Sequence, residues 1–114
     1  MGSVQIIGLD KLEKQLKKNA TLNDVKKVVR QNGAELHKKA QRKAPVAPIN
    51  GGTLKRSIGL ELSDGGMTAE VEATAEYSEY VEYGTRYMDA QPYIRPALKE
   101  QERQFKSDMK KLVN

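Results

Sequence analysis

The chain has 114 residues, with 20 Lys and Arg against 15 Asp and Glu, for a formal charge of +5. That length holds one hydrophobic core, so a single domain over residues 1–114 is expected. It contains no cysteine, which excludes disulfides, thiolate nucleophiles and Cys-ligated metal centres. No apolar stretch approaches the roughly 18 to 20 residues needed to span a bilayer, and the N-terminus lacks a signal pattern, so a soluble, cytosolic product is expected.

The charge is unevenly placed. Residues 1–45 hold 11 Lys and Arg against 4 Asp and Glu, whereas residues 46–76 hold 2 against 5. A basic N-terminal part followed by an acidic middle suits contact with nucleic acid, or head-to-tail packing between copies.

In chain order, Leu9, Leu12, Leu16 and Ala20 recur at helical spacing, and Asp10 with Glu13 resembles a capping box. Thr21 with Asp24 opens a second helix, which Pro45 should stop near Lys43. At 100° per residue, Leu22, Val25, Val29, Leu36 and Ala40 share a narrow arc, while Lys27, Arg30, Lys38 and Arg42 lie opposite. Gly33, costly inside a helix, points to close approach of another part of the chain. Residues 45–53, with two prolines and Asn50-Gly51-Gly52, read as an exposed loop.

Two alternating segments follow, with Ile58, Leu60 and Leu62 on one side of the first and Met67, Ala69, Val71 and Ala73 on one side of the second. Ser63-Asp64-Gly65-Gly66 joins them as an antiparallel hairpin. Its other face carries Glu61, Glu70 and Glu72. A lone hairpin is marginal in water, so a third strand from this chain or from a neighbouring copy is anticipated.

Tyr77, Tyr80 and Val81 at i, i+3, i+4 predict a helical turn that ends at Gly84-Thr85, with Glu76, Glu79 and Glu82 as a solvated or partner-facing edge. Pro92 and Pro96 bracket the start of a last helix with Ile94, Leu98, Phe105, Met109 and Leu112 as its stripe, beside Ala97 and Gln101. The sum is an α+β fold: two N-terminal helices, an antiparallel hairpin or small sheet, a short aromatic turn and a C-terminal helix.

Catalytic chemistry finds no support in these patterns. His37, the sole histidine, lies between the apolar and basic arcs with no Ser, Asp or second ligand spaced to it, so it reads as a boundary residue. The three-residue spacing of Glu76, Glu79 and Glu82 lacks the glycine-containing loop of a calcium site, and Gly51-Gly52-Thr53-Leu54-Lys55 lacks phosphate-loop spacing. No catalytic residue, cofactor, metal, membrane or small-molecule substrate is expected. All six aromatics lie in the last third of the chain. Spacing assigns Tyr77, Tyr80 and Phe105 to the core and leaves Tyr83, Tyr87 and Tyr93, beside Gly and Pro, as candidates for a surface that a partner buries.

Three pieces in fixed order carry a family resemblance. They are Ala44-Pro45-Val46 leading to Gly52-Thr53-Leu54-Lys55-Arg56-Ser57-Ile58, then Tyr77-Ser78-Glu79-Tyr80-Val81-Glu82-Tyr83-Gly84-Thr85, then Ala90-Gln91-Pro92-Tyr93-Ile94-Arg95-Pro96-Ala97-Leu98. The combination resembles the small head–tail joining, or tail-completion, proteins of long-tailed bacteriophages and prophages, the gene-product-ten-like minor structural proteins. One departure is that family members run from the Pro-Val almost directly into a Thr-Gly, whereas here Ala47 to Gly51 intervene and Gly51 occupies the Thr position.

The resemblance implies a non-enzymatic virion component at the neck or upper tail, a ring of copies between head connector and tail tube, present in the host cytoplasm during assembly. Under it, Tyr83, Gly84, Thr85, Tyr87, Gln91, Pro92 and Tyr93 form a candidate subunit or partner interface. The Lys27, Arg30, Lys38 and Arg42 face becomes a candidate contact for DNA in the channel. The competing reading is a small basic nucleic-acid-binding regulator, although no helix-turn-helix signal is evident between the first two helices.

Overall fold

In a computed structural model the described residues are 3–7, 21–45, 52–75, 78–84, 86 and 89–112. The expected helix over Leu9–Ala20 lies outside them. The described elements are strand β1 (Ser3–Ile7), helix α1 (Leu22–Lys43), short helix α2 (Thr53–Ser57), strands β2 (Ile58–Ser63) and β3 (Thr68–Ala73), short helix α3 (Ser78–Tyr83) and helix α4 (Ile94–Lys110). The fold is α+β. Two elements were not located in advance: β1, whose five residues are too few to display a period, and α2, which begins at Thr53, the last residue of the predicted loop, and fills the stretch before Ile58.

α1 begins where its capping chemistry places it. The Asp24 amide donates to Thr21 Oγ1 at 3.2 Å and the Thr21 amide donates to Asp24 Oδ2 at 2.8 Å, a reciprocal box. The helix ends at Lys43, with the Ala44 amide bonded to the Ala40 carbonyl and Pro45 next in line. Val25, Val29, Leu36 and Ala40 are fully buried, as the arc requires. Leu22, assigned to the same arc, is 42% exposed because it sits in the first turn, beyond the sheet.

The anticipated third strand comes from this chain. β1 and β2 both pair antiparallel with β3, in the order β1-β3-β2. Ala69, Val71 and Ala73 of the central strand are fully buried on the face that packs on α1. Gly33 is the point of closest approach: a Cβ there would stand 2.7 Å from the Ala69 methyl and 3.3 Å from Leu60 Cδ1. The hairpin reverses through a tight turn over Asp64–Gly66 in which Asp64, Gly65 and Gly66 all take positive φ.

Pairing also decides which backbone groups remain open. The Thr74 amide bonds the Ser57 carbonyl, so by the antiparallel alternation Gly59, Glu61 and Ser63 direct their backbone groups at β3 and Ile58, Leu60 and Leu62 direct theirs away. The same alternation leaves Ser3, Gln5 and Ile7 facing outward along β1.

α4 packs along α1 through a polar seam that interrupts an otherwise apolar contact. Gln101 and Asn32 are both fully buried. Gln101 Nε2 donates to Asn32 Oδ1 at 2.5 Å and to Glu35 Oε2 at 2.7 Å, and Lys39 Nζ donates to Gln101 Oε1 at 2.6 Å. Asn32 Nδ2 reaches Asp108 Oδ2 at 2.9 Å. Each buried amide is thereby satisfied, and satisfied networks of this kind fix the relative register of two helices.

Candidate interaction surfaces

The segment from α3 to α4 is built around one carboxylate. α3 closes through the Gly84 amide to the Tyr80 carbonyl at 2.8 Å, and Gly84 takes φ 78°, a conformation glycine adopts without strain. The chain then returns, so that the Gln91 amide bonds the Val81 carbonyl at 2.7 Å. That return delivers the head of α4 to Glu82, whose Oε1 accepts the amides of Tyr93 at 3.3 Å and Ile94 at 2.8 Å. Tyr93 provides no side-chain cap of its own. A carboxylate from a separate helix therefore satisfies the free amides and meets the positive end of α4.

This geometry corrects three assignments. Glu82, placed on a solvated or partner-facing acidic edge, is 4% exposed. Tyr93, placed at the interface, is fully buried, and its hydroxyl lies 3.5 Å from the Ser78 carbonyl; its ring belongs to the chain's own core and is not presented to a partner. Tyr80, placed in the core, is 58% exposed, because α3 rotates Glu82 and Ser78 inward in its stead. Phe105 is only half-buried. Tyr77, Thr85 and Tyr87 lie outside the described residues.

Of the residues assigned to the interface, Tyr83 stays on the surface of this corner, 57% exposed, with the Arg95 guanidinium 4.9 Å from its ring centroid, flanked by exposed Gln91 and Pro92 and half-buried Gly84. An exposed Tyr under an Arg is a composition enriched where proteins meet.

The basic arc of α1 is arranged as its spacing dictates. Lys27, Arg30, Lys38 and Arg42 are all exposed, on the side turned away from the sheet. Lys38, Gln41 and Arg42 share a shallow cleft with Lys55 of α2. That fifth cation was not assigned to the face, since only the return of the chain at residue 52 brings it there.

The uncovered face of the sheet is acidic. Glu61 and Glu70 stand directly opposite each other, Glu72 lies two residues along β3, and Gln5 donates to Glu70 from the other side. Like charges in directly opposed positions cost a few tenths of a kcal/mol up to about 1, and no ion pair to these three carboxylates occurs among the described residues. On the α1–α4 side, by contrast, Lys43 Nζ meets Glu100 Oε1 at 2.9 Å. That hydrogen bond, reinforced by the charges of Lys43, Lys39 and Arg42, holds the Glu100 carboxyl below the usual carboxylate range.

His37 is half-buried, and its Nε2 donates to the Ile58 carbonyl at 2.8 Å, so it closes the first outward-facing carbonyl of β2. Among the described residues no group of three or more His, Cys, Asp or Glu could hold a metal ion, and no helix is long and apolar enough to cross a membrane.

A family model described as "Bacteriophage HK97-gp10, putative tail-component" matches residues 9–84. No curated protein and no solved structure matches the chain.

Proposed function

Because the chain belongs to the HK97-gp10-like family of phage tail components, we propose that it is a non-catalytic virion protein that completes the tail at the head–tail junction. It acts there as a ring of copies, assembled in the host cytoplasm. The observation that carries this reading is the placement of opposite charges on opposite sides of one thin molecule. Lys27, Arg30, Lys38, Arg42 and Lys55 lie outward from α1 and α2, and Glu61, Glu70 and Glu72 lie outward from the sheet. A ring around packaged DNA favours this arrangement, with cations toward the channel and carboxylates away from it. The Tyr83, Gln91 and Pro92 corner then faces the adjoining connector or tail-tube protein.

Two measurements test the reading. Particles made without the chain should accumulate as separate filled heads and tails by electron microscopy, and normal joining in its absence would refute the junction role. Retention of the protein on duplex DNA should fall steeply with salt, each neutralised phosphate adding about 0.9 to the logarithmic slope. Charge reversal at Lys38 and Arg42 together should abolish it. Retention that ignores both salt and the reversal removes DNA from the reading.

A further inference from the structure

We infer that the open edge of β2 in one copy pairs in parallel with the open edge of β1 in the next, so that the three-stranded sheets of neighbouring copies run on as one. This deepens the ring reading and rests on it.

The two edges are complementary in three respects. First, both present backbone that is unpaired among the described residues. His37 and the Lys55 carbonyl occupy the backbone groups of Ile58, which leaves the amides and carbonyls of Leu60 and Leu62 turned outward, opposite the outward-turned Ser3, Gln5 and Ile7 of a neighbour's β1. Neither strand carries lysine, proline or a bulge, the usual devices that keep an edge from pairing.

Second, the side chains fit. Leu62 lies on the α1 side of the sheet and is 41% exposed for want of a neighbour. Beside β1 runs a groove lined by Ile6, Ile7, Leu98 and Phe105 together with the charged Glu102 and Lys106. A β2 strand laid along β1 lowers Leu62 into that groove, because copies related by rotation about the ring axis keep the same face of the sheet toward the helices.

Third, charge selects the partner. Two β2 edges brought together would set Glu61 near a second Glu61, beside Glu70. β1 carries no charge, and Gln5 already donates to Glu70 from across the ladder. In a neighbour, Gln5 would stand beside Glu61 with the same chemistry. Joining unlike edges is also a heterologous contact, the kind that closes into a ring, whereas β2 on β2 stops at a dimer. Pairing is parallel because β1 and β2 both run antiparallel to β3.

The chain has no cysteine, so crosslinks report the edge directly. Within one copy Gln5 and Glu61 flank Glu70 on either side, two strand spacings or about 9.5 Å apart, beyond the reach of a disulfide, which needs Cα atoms within about 7 Å. Copies with Gln5→Cys together with Glu61→Cys, or with Ser63→Cys to cover a two-residue shift of register, should therefore form intermolecular ladders on oxidation, both in the protein at high concentration and in purified particles. Adding Leu62→Pro, which removes only an outward amide, should abolish the ladder while the melting curve of the isolated protein is kept. Leu62→Lys serves the same purpose should the proline disturb folding. Particles that hold many copies yet give no ladder, or that still form it with either Leu62 variant, overturn the edge pairing and leave the ring reading intact. A dimer from Glu61→Cys alone also overturns it, since β2 then meets β2. Particles with a single copy of the chain overturn both.

Discussion

Glu82 of α3 caps a helix to which it does not belong: its Oε1 accepts the Ile94 amide at 2.8 Å at the head of α4, and its other oxygen is buried without a hydrogen-bond partner among the described residues. The contact fastens the aromatic turn to the C-terminal helix. Replacement by Ala removes the shared acceptor of two buried amides, and lost buried hydrogen bonds and caps of this kind are each worth about 1 to 3 kcal/mol. Glu82→Ala should therefore lower stability by about 2 to 3 kcal/mol in urea unfolding. Glu82→Gln keeps one acceptor but buries an amide N–H in place of the free oxygen, and should also destabilise, by about 1 to 2 kcal/mol. A neutral result for both variants would show that the cap contributes nothing.

The tyrosines on either side of that cap should separate cleanly. Tyr93→Ala empties a fully buried site and should cost about 3 to 5 kcal/mol. Tyr83→Ala removes a ring that is more than half exposed, and should alter the stability of the isolated protein by less than about 0.5 kcal/mol. Joining of heads to tails should nevertheless fall with Tyr83→Ala if this corner meets a partner. Wild-type joining efficiency in that variant would remove Tyr83 from the interface.

Gly33→Ala sets two effects against each other. Helix propensity favours Ala by about 1 kcal/mol, but the new methyl would meet the Ala69 methyl at 2.7 Å, and overpacking costs about 1 to 3 kcal/mol. The clash should win, for a net loss of about 1 kcal/mol. Pairing it with Ala69→Gly should recover part of that loss, a coupling visible only in the double-mutant cycle.

The Lys43–Glu100 pair gives a pH prediction whose sign is fixed. Glu100 titrates below its ordinary value because Lys43 donates to its ionised form. A depressed carboxyl contributes stability that is present above the unfolded-state pKa and lost as pH falls through the lower folded-state value. Side-chain NMR should place the Glu100 midpoint below that of a model peptide, and Lys43→Ala should move it upward. The exposed position of Glu100 means that salt should shrink the difference. An unmoved midpoint in Lys43→Ala would assign the shift to other charges.

Much of this molecule is legible in one dimension, where a local rule suffices. The Thr21–Asp24 box and Pro45 bound α1 because capping and the missing proline amide act within a few residues. The β2–β3 hairpin follows from period-two alternation around Asp64-Gly65-Gly66, and the basic arc follows from helical periodicity alone. The family is also legible in one dimension, through a match over residues 9–84 that takes in the pattern of the aromatic turn.

Other features depend on residues distant in sequence and leave no periodic trace. β1 became a strand only because β3 offered it a partner edge. Glu82, Tyr80 and Tyr93 exchanged their expected places because a turn of six residues has no defined inner face until something packs on it, and what packs there is the head of α4. Asn32 and Gln101 are ordinary polar residues by sequence, and only the α1–α4 contact makes them a buried pair. Sequence by itself determined the fold class, the bounds of α1, the β2–β3 hairpin and the polarity of the charge. Tertiary structure decided which carboxylate is buried, which tyrosines face outward and which strand edges stay open, because burial and pairing are properties of the neighbours a residue acquires on folding.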